Sequence, residues 1–448
     1  MSEELVDLAR RVAGWARAGE QVEAYVARGR STEVKVFEGD VESLSSAESA
    51  GVGIRVIVDH RQGFAYAGSL DEQVVAETLE EARDNAEWGT PDDDLGLASS
   101  DGVEAADLDL WRDELVAFPA EEKVALALEL ERLVRAGDHR IRQVESAYWG
   151  DSASESAVAT STGILASSAR TNCYVSAYAI AGEGADTQTG GGYSVGRAPL
   201  DISLADAAAD AVHRSTRLLG ARKPKSRRLT VILEPRITAT LLSVLAGTLN
   251  GESVLKGRSL FADRIGHQVS VPTLTLVDDP TDPDAYGAAR YDAEGLACRR
   301  TVLIDEGTLR GFLYNTYAGR RAGTASTASA VRAGFKSGPG VGARAVGIVP
   351  GLLGPDQILA EVGDGLLVQS VSGIHSGVNP ISGDFSVGAE GMIVRDGALA
   401  EPVREITIAS TLQRMLQNVV LIGNDVERLP SSAMGLTVAL ADVSMSGA

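Results

Sequence analysis

The chain has 448 residues, with 41 Lys and Arg against 62 Asp and Glu, a formal net charge of −21, and 44% hydrophobic residues. That charge excludes nucleic acid and anionic membrane surfaces as partners, since both demand a basic face, while the apolar fraction suffices for a real core. Two cysteines exclude a disulfide scaffold and fit a reducing, cytoplasmic setting, and five histidines leave little material for a metal centre.

The sequence opens on Met1, Ser2, Glu3 and Glu4, acidic where a secretion signal is basic. Leu5, Leu8, Val12 and Trp15 recur at helical spacing and predict an amphipathic helix. Alternation follows in Val22/Ala24/Val26, Val34/Val36 and Val52/Ile54/Val56, with a short piece from Gly63 to Ala67, and reads as an antiparallel meander. Ser69 with Glu72 makes a capping-box pattern that starts the next helix, through Trp88. Pro91 to Asp94 is an acidic loop. A second long helix is predicted from Pro119 to Val134, with Pro in its first turn and Gly137 closing it. Alternation returns between Ile141 and Ile180, with a turn at Ser161-Thr162-Gly163. Thr187 to Gly196 is glycine-rich and reads as a mobile segment. Asp201 to Gly220 reads as an Ala-rich helix, and Arg222 to Arg228 as a polar linker.

That linker divides an N-terminal α/β domain (1–224), with its meander and long helices, from a C-terminal β-rich domain (225–448). The fold class is α+β. The second half begins with a strand (Leu229 to Leu233) and a helix (Ile237 to Asn250), then turns to short β pieces at Thr273–Val277, Thr301–Ile304, Thr308–Leu313, Leu366–Ser370 and Met392–Val394. Asp305-Glu306-Gly307 and Arg395-Asp396-Gly397 are hairpin turns, because Gly accepts the positive φ such turns need. A closed or strongly curved sheet would manage so many strand edges. The longest uncharged apolar stretch, Ile237 to Gly251, falls short of the roughly 20 residues a membrane span requires.

Local motifs carry little chemistry. Gly192-Tyr193-Ser194-Val195-Gly196 matches G-x-S-x-G, but lacks the strand before and helix after that expose a nucleophilic Ser, so it is a chance match. Gly338-Pro339-Gly340-Val341-Gly342 fits neither phosphate-binding pattern. Asp278, Asp279, Asp282 and Asp284 are broken by Pro280 and Pro283 and read as a solvated loop rather than a Ca²⁺ loop. His60, His139, His213, His267 and His375 include no i, i+3 or i, i+4 pair, although His267 and His375 could meet in space. His213 falls late in a helix, where the dipole favours its charged form. Cys173 falls on a strand, whereas Cys298 stands beside Arg299 and Arg300, which would activate its thiol somewhat.

Longer strings are more specific. Gly257-Arg258-Ser259-Leu260-Phe261-Ala262-Asp263-Arg264-Ile265-Gly266 precedes Tyr291-Asp292-Ala293-Glu294-Gly295. Asp305 to Leu313, Tyr317-Ala318-Gly319-Arg320-Arg321-Ala322-Gly323, Asn379 to Ser386 and Gly388-Ala389-Glu390-Gly391 follow in order. Their order and spacing resemble the TldD/PmbA family, known as modulators of DNA gyrase and associated with metallopeptidase activity. In that family the zinc-bearing branch carries H-E-x-x-x-H on the helix opening the second domain and a Cys near the C-terminus. Here Ser243, Val244 and Thr248 occupy that register, and Ser431-Ser432-Ala433-Met434-Gly435 replaces the Cys-Gly stretch.

The resemblance is therefore to the PmbA (TldE) branch. It implies a subunit with no catalytic residue and no metal of its own, joined to a zinc-bearing TldD-like partner in a heterodimeric peptidase acting on unfolded or leader-type peptides. Arg258, Asp263 and Arg264 follow the degenerate helix and are expected at the substrate chamber, or else in an ordinary surface ion pair. Two other readings stand beside it: a stand-alone homodimeric peptide-binding or scaffold protein, and a hydrolase using Ser194, Cys298, His267 or His375.

Overall fold

The computed structural model describes residues 3–448. Helix α1 (Glu3–Gly14) buries Leu5, Leu8, Ala9, Val12 and Ala13 along one stripe, as its spacing dictates. Strands β1 (Gln21–Phe37), β2 (Asp40–Val58) and β3 (Arg61–Ala67) then form the expected antiparallel meander. Helix α2 (Glu72–Glu87) starts at Asp71, whose Oδ1 accepts the N–H groups of Gln73 at 3.0 Å and Val74 at 3.3 Å. Ser69, the expected cap, lies two residues too early and instead accepts the Asp71 N–H at 3.1 Å.

A single turn, α3 (Asp113–Val116), leads into α4 (Ala120–Gly137), then β4 (Ile141–Thr160), β5 (Leu165–Ala181), β6 (Gln188–Gly196) and α5 (Leu204–Thr216). The six strands make one antiparallel sheet in the order β3-β2-β1-β4-β5-β6. Its helical face buries Val22, Ala24 and Val26 against α1 and α2, and Val34, Trp149 and Val175 against α4 and α5. The glycine-rich segment is thus an edge strand, not a mobile one. Its glycines let α5 sit directly on the backbone: a Cβ at Gly192 would lie 1.9 Å from the Ala207 carbonyl oxygen.

The chain enters its second half through β7 (Arg227–Leu233), which takes up the last two residues of the expected linker. Helices α6 (Pro235–Thr248) and α7 (Gly251–Leu255) follow, then β8 (Leu276–Asp278), β9 (Thr301–Asp305), β10 (Thr308–Leu309) and α8 (Thr316–Arg321). Strands β11 (Ala330–Val331) and β12 (Gly340–Val341) form a small ladder, and β13 (Val346–Ile348) joins β8. Next come α9 (Pro355–Val362), β14 (Gly365–Ser372), the turn α10 (Ile374–Gly377), β15 (Asp384–Arg395) and β16 (Ala398–Thr411). Helix α11 (Leu412–Gln417), β17 (Val419–Ile422) and β18 (Val438–Ser446) complete the order.

The large sheet runs β16-β15-β14-β7-β18-β17, and β16 also pairs with β18. Five strands therefore close on themselves, with β17 outside the ring, which is the closed sheet expected from the number of edges. Only β7 and β14 run parallel. Val231, Leu366, Val387, Ile408 and Leu440 of the ring pack with Leu242 and Leu245 of α6 in one core. Both expected hairpin turns have two positive φ values, Glu306 (47°) with Gly307 (80°) and Asp396 (50°) with Gly397 (76°). Among the described residues no helix is long and apolar enough to cross a membrane.

The first sheet is clamped to the second half of the chain by a buried ion network. Arg55 Nη2 lies 2.6 Å from Glu23 Oε2 and 3.4 Å from Glu294 Oε1, and Arg332 pairs with the other Glu23 oxygen. Glu294 also accepts the Thr316 N–H at 2.8 Å, and Tyr317 donates its hydroxyl to Asp92 at 2.8 Å. Several family-motif residues thus hold the halves together.

Candidate functional site

Helix α6 starts at Pro235, whose missing N–H costs nothing in a first turn. It buries Ile237, Thr238, Leu242 and Leu245, leaving Ser243 and Gly247 exposed along the opposite stripe. That stripe forms one wall of a cleft of about 440 Å³, with Ser243, Val244 and Gly247 facing Ile374, His375, Val378, Pro380 and Ile381, and with Ser253 and Arg258 at one end. The facing wall is folded by short-range bonds: Asn379 Oδ1 accepts the N–H groups of Ile381 at 2.9 Å and Ser382 at 3.2 Å. Ile374 also lines a second cavity of about 400 Å³, with Arg236 and Thr240 of α6 and Gly190 to Tyr193 of edge strand β6. Together they make one groove along α6, from Arg236 to Gly247, about 16 Å by helical rise.

At the Arg236 end the charges are matched. Arg236 pairs with Asp210 and, at 3.0 Å, with Glu427, and its guanidinium lies 3.9 Å from the Tyr193 ring centre. The Tyr193 hydroxyl donates to Glu427 at 2.7 Å; burial, then the Glu427 charge, push its pKa well above the usual phenol range. This end therefore offers neutral and paired groups rather than a proton shuttle.

Of the positions singled out in the sequence, the structure brings Ser243, Val244 and Arg258 to the cleft. Thr248 is fully buried on the other side of α6, where Oγ1 donates to the Leu245 carbonyl at 2.7 Å. Asp263 and Arg264 are exposed in the loop beyond α7 and do not line the cleft. His375 joins Ser243 there, which local spacing had no means of showing; His267 is exposed elsewhere.

The hydrolase candidates are scattered. Ser194 lies on β6 and its Oγ accepts the Ser203 N–H at 3.0 Å. Cys298 is buried, and burial pushes its thiol up to about 12, outweighing the nearby arginines expected to activate it. His213 is likewise held below its ordinary value, first by burial and then by Arg217, so the helix dipole does not decide its charge. Asp278 is consumed by the Arg344 and Ala345 N–H groups, and Asp282 by that of Asp284.

Zinc centres take three or four His, Cys or carboxylate ligands. The cleft offers one imidazole, serine hydroxyls, a guanidinium and apolar carbon, a set that does not fit zinc. Ser243 Oγ is itself engaged, donating to the Ala239 carbonyl at 3.0 Å. Among the described residues no group of three or more His, Cys, Asp or Glu is placed to hold a metal ion.

A helix-covered antiparallel sheet followed by a five-stranded ring, with a cleft along the ring's first helix, is the architecture of the chain. The same architecture is found in a modulator of a DNA gyrase from Thermotoga maritima, at TM-score 0.90 and 23% identity, covering 99% of this chain and 100% of that one. TldE from Thermococcus kodakarensis superposes at TM-score 0.88 with 24% identity, over 95% and 97% of the two chains. Family models for PmbA/TldA metallopeptidase domain 1, central domain and C-terminal domain match residues 22–86, 113–219 and 226–447. The metalloprotease PmbA of Escherichia coli O157:H7 is 30% identical over 437 residues, covering 96% of this chain and 93% of its own. A TldD homologue of Haemophilus influenzae is 25% identical over 87% of this chain and 82% of its own. The chain belongs to the PmbA/TldD metallopeptidase family.

Proposed function

We propose that this chain is the zinc-free subunit of a TldD/TldE-type heterodimeric peptidase acting on unfolded and leader-type peptides. The observation that supports the reading is the cleft wall: Ser243 and Val244, two of the three positions matched to the family's zinc motif, line it without a metal ligand or a carboxylate base, while Thr248, the third, is buried on the other side of α6. The chain's task is then to complete the chamber around zinc held by the partner and to steady an extended substrate. Edge strand β6 beside Tyr193 would supply a backbone edge for a peptide strand once Arg236 releases the Gly191 carbonyl, to which it donates at 2.7 Å.

The test mixes the purified chain with a zinc-bearing family member. A stable complex that cleaves an unfolded peptide faster than either chain alone is expected. No complex and unchanged cleavage overturn the reading, as does one tightly bound zinc per isolated chain.

A further inference from the structure

A cavity larger than either of those along α6 lies away from this groove, between the two halves of the chain. It encloses about 630 Å³, within the range of small-ligand sites, which favour such junctions. Its floor is the open face of the first sheet, with Tyr25 on β1, Ser154 on β4, and Ser168 and Arg170 on β5. Its roof is the segment around Tyr291 and the segment from Arg332 to Arg344.

In a protein of net charge −21, this cavity reverses the local sign. Five cationic side chains line it against two carboxylates, Glu155 and Asp292. Both carboxylates are occupied. Glu155 is paired with Arg28 at 2.6 Å, and Asp292 accepts the backbone N–H groups of Glu294, Leu296 and Ala330 at 2.9, 3.0 and 3.1 Å. Arg332 is neutralised by Glu23.

Arg170 and Arg344 have no such partner. Among the described residues neither forms a salt bridge. Each reaches only a backbone carbonyl, Arg170 that of Tyr286 at 2.8 Å and Arg344 that of Ala330 at 3.0 Å, and the buried Nε of each has no hydrogen-bond partner. Burial, with the nearby charges of Arg197 and Arg344, pulls Arg170 down to about 10, still charged at neutral pH. Both side chains are half-buried, and although Asp278 attracts Arg344, its carboxylate makes no ion pair there and is held by two backbone N–H groups, so two like charges stand near each other with no paired counter-charge, which is costly. Planar guanidinium forks match carboxylate and phosphate oxygens two at a time.

We propose that this interdomain cavity binds a ligand bearing a carboxylate or phosphate, clamped between Arg170 and Arg344 with its apolar body against Tyr25, Tyr291 and Phe335. The proposal is independent of the peptidase reading, since it involves neither α6 nor the partner subunit.

Calorimetric titration of the full chain tests it with three probes: inorganic phosphate, an N-acetylated tripeptide ending in a free phenylalanine carboxylate, and the same tripeptide amidated. Saturable binding of phosphate alone identifies a phosphate ligand, and binding of the free tripeptide but not its amide identifies a carboxylate. In either case Arg344→Gln weakens binding about tenfold or more. The unliganded variant unfolds at the same or a higher temperature than the parent, because a repulsive charge has been removed; a purely structural arginine would instead lower it. Should Arg344→Gln fail to fold, Arg344→Lys keeps the charge without the fork and binds several-fold more weakly. No binding of phosphate or free tripeptide, equal binding of tripeptide and amide, or affinity unchanged in the variants overturns the proposal.

Discussion

Single residues here are governed by burial more than by their sequence neighbours. Cys298 stands just before Arg299 and Arg300, whose charges would activate it, yet it is 2% exposed, and Cys173, at 0%, donates to the Ala198 carbonyl at 3.3 Å. Both thiols are pushed up to about 12. A thiol-reactive dye should therefore label neither cysteine in the native chain at pH 8 and both after denaturation, read by absorbance; rapid labelling of one native thiol would contradict this. Asp292 shows the same priority of burial. Burial first, then Glu294, raise it from its ordinary 3.8 to about 7. The folded state therefore holds a proton that the unfolded chain releases near pH 4. Stability from this group is fully present below about pH 4 and is lost as pH rises to about 7, a loss of at most about 4 kcal/mol. Urea unfolding across that window should show the fall in the parent and a flatter profile in Asp292→Asn, even though that variant is less stable where an N–H loses its acceptor.

At the scale of elements, periodicity was readable wherever a face is buried against something local. The stripe of α1, the alternation of β1 and the Gly-bearing hairpin turns follow from side-chain direction and allowed φ, whereas β2 is exposed from Asp40 to Ala50 and buried throughout from Gly51 to Ile57. What misled was glycine. In β6 it signals a backbone that must be bare because α5 lies on it, and the same composition reads as looseness when the helix is unseen. Gly192→Ala should thus cost about 2–3 kcal/mol, since its Cβ would meet the Ala207 carbonyl and α5 must lift away. The midpoint of urea unfolding checks this, and an unchanged midpoint would show that α5 yields freely. The cleft was legible by halves. The α6 face came from a single helix and its register, whereas the wall with Ile374 and His375 arrives through β14 from far along the chain, and no local pattern links the two.

For the whole molecule, the joint between the two halves of the chain rests on a few buried charges. Glu23 is fully buried; burial alone would raise its carboxyl, but Arg332 and Arg55 outweigh that and hold it below the usual carboxylate range. Removing its charge by Glu23→Gln strands the buried Arg332 and leaves Arg55 only the more distant Glu294, and should cost about 3–5 kcal/mol. Calorimetry should show a lower unfolding temperature and the two halves beginning to melt apart; a single unshifted transition would mean the network is dispensable. In the sequence, Glu23 is simply the polar member of an alternating strand, so its place in the joint depends on Glu294 and Arg332, which only the folded chain brings near.

The ring of five strands has a further consequence for how the protein is made. Its first strand, β7, lies between β14 and β18, and β18 is also the strand that meets β16. A ribosome has therefore long since released β7 when its neighbours emerge, and nothing can shut the ring until Val438–Ser446 has left the exit tunnel. The first sheet, by contrast, has all six strands by Gly196. The N-terminal half can fold while synthesis continues, and the C-terminal half must wait with its strand edges open, in the span when chaperones matter most to it.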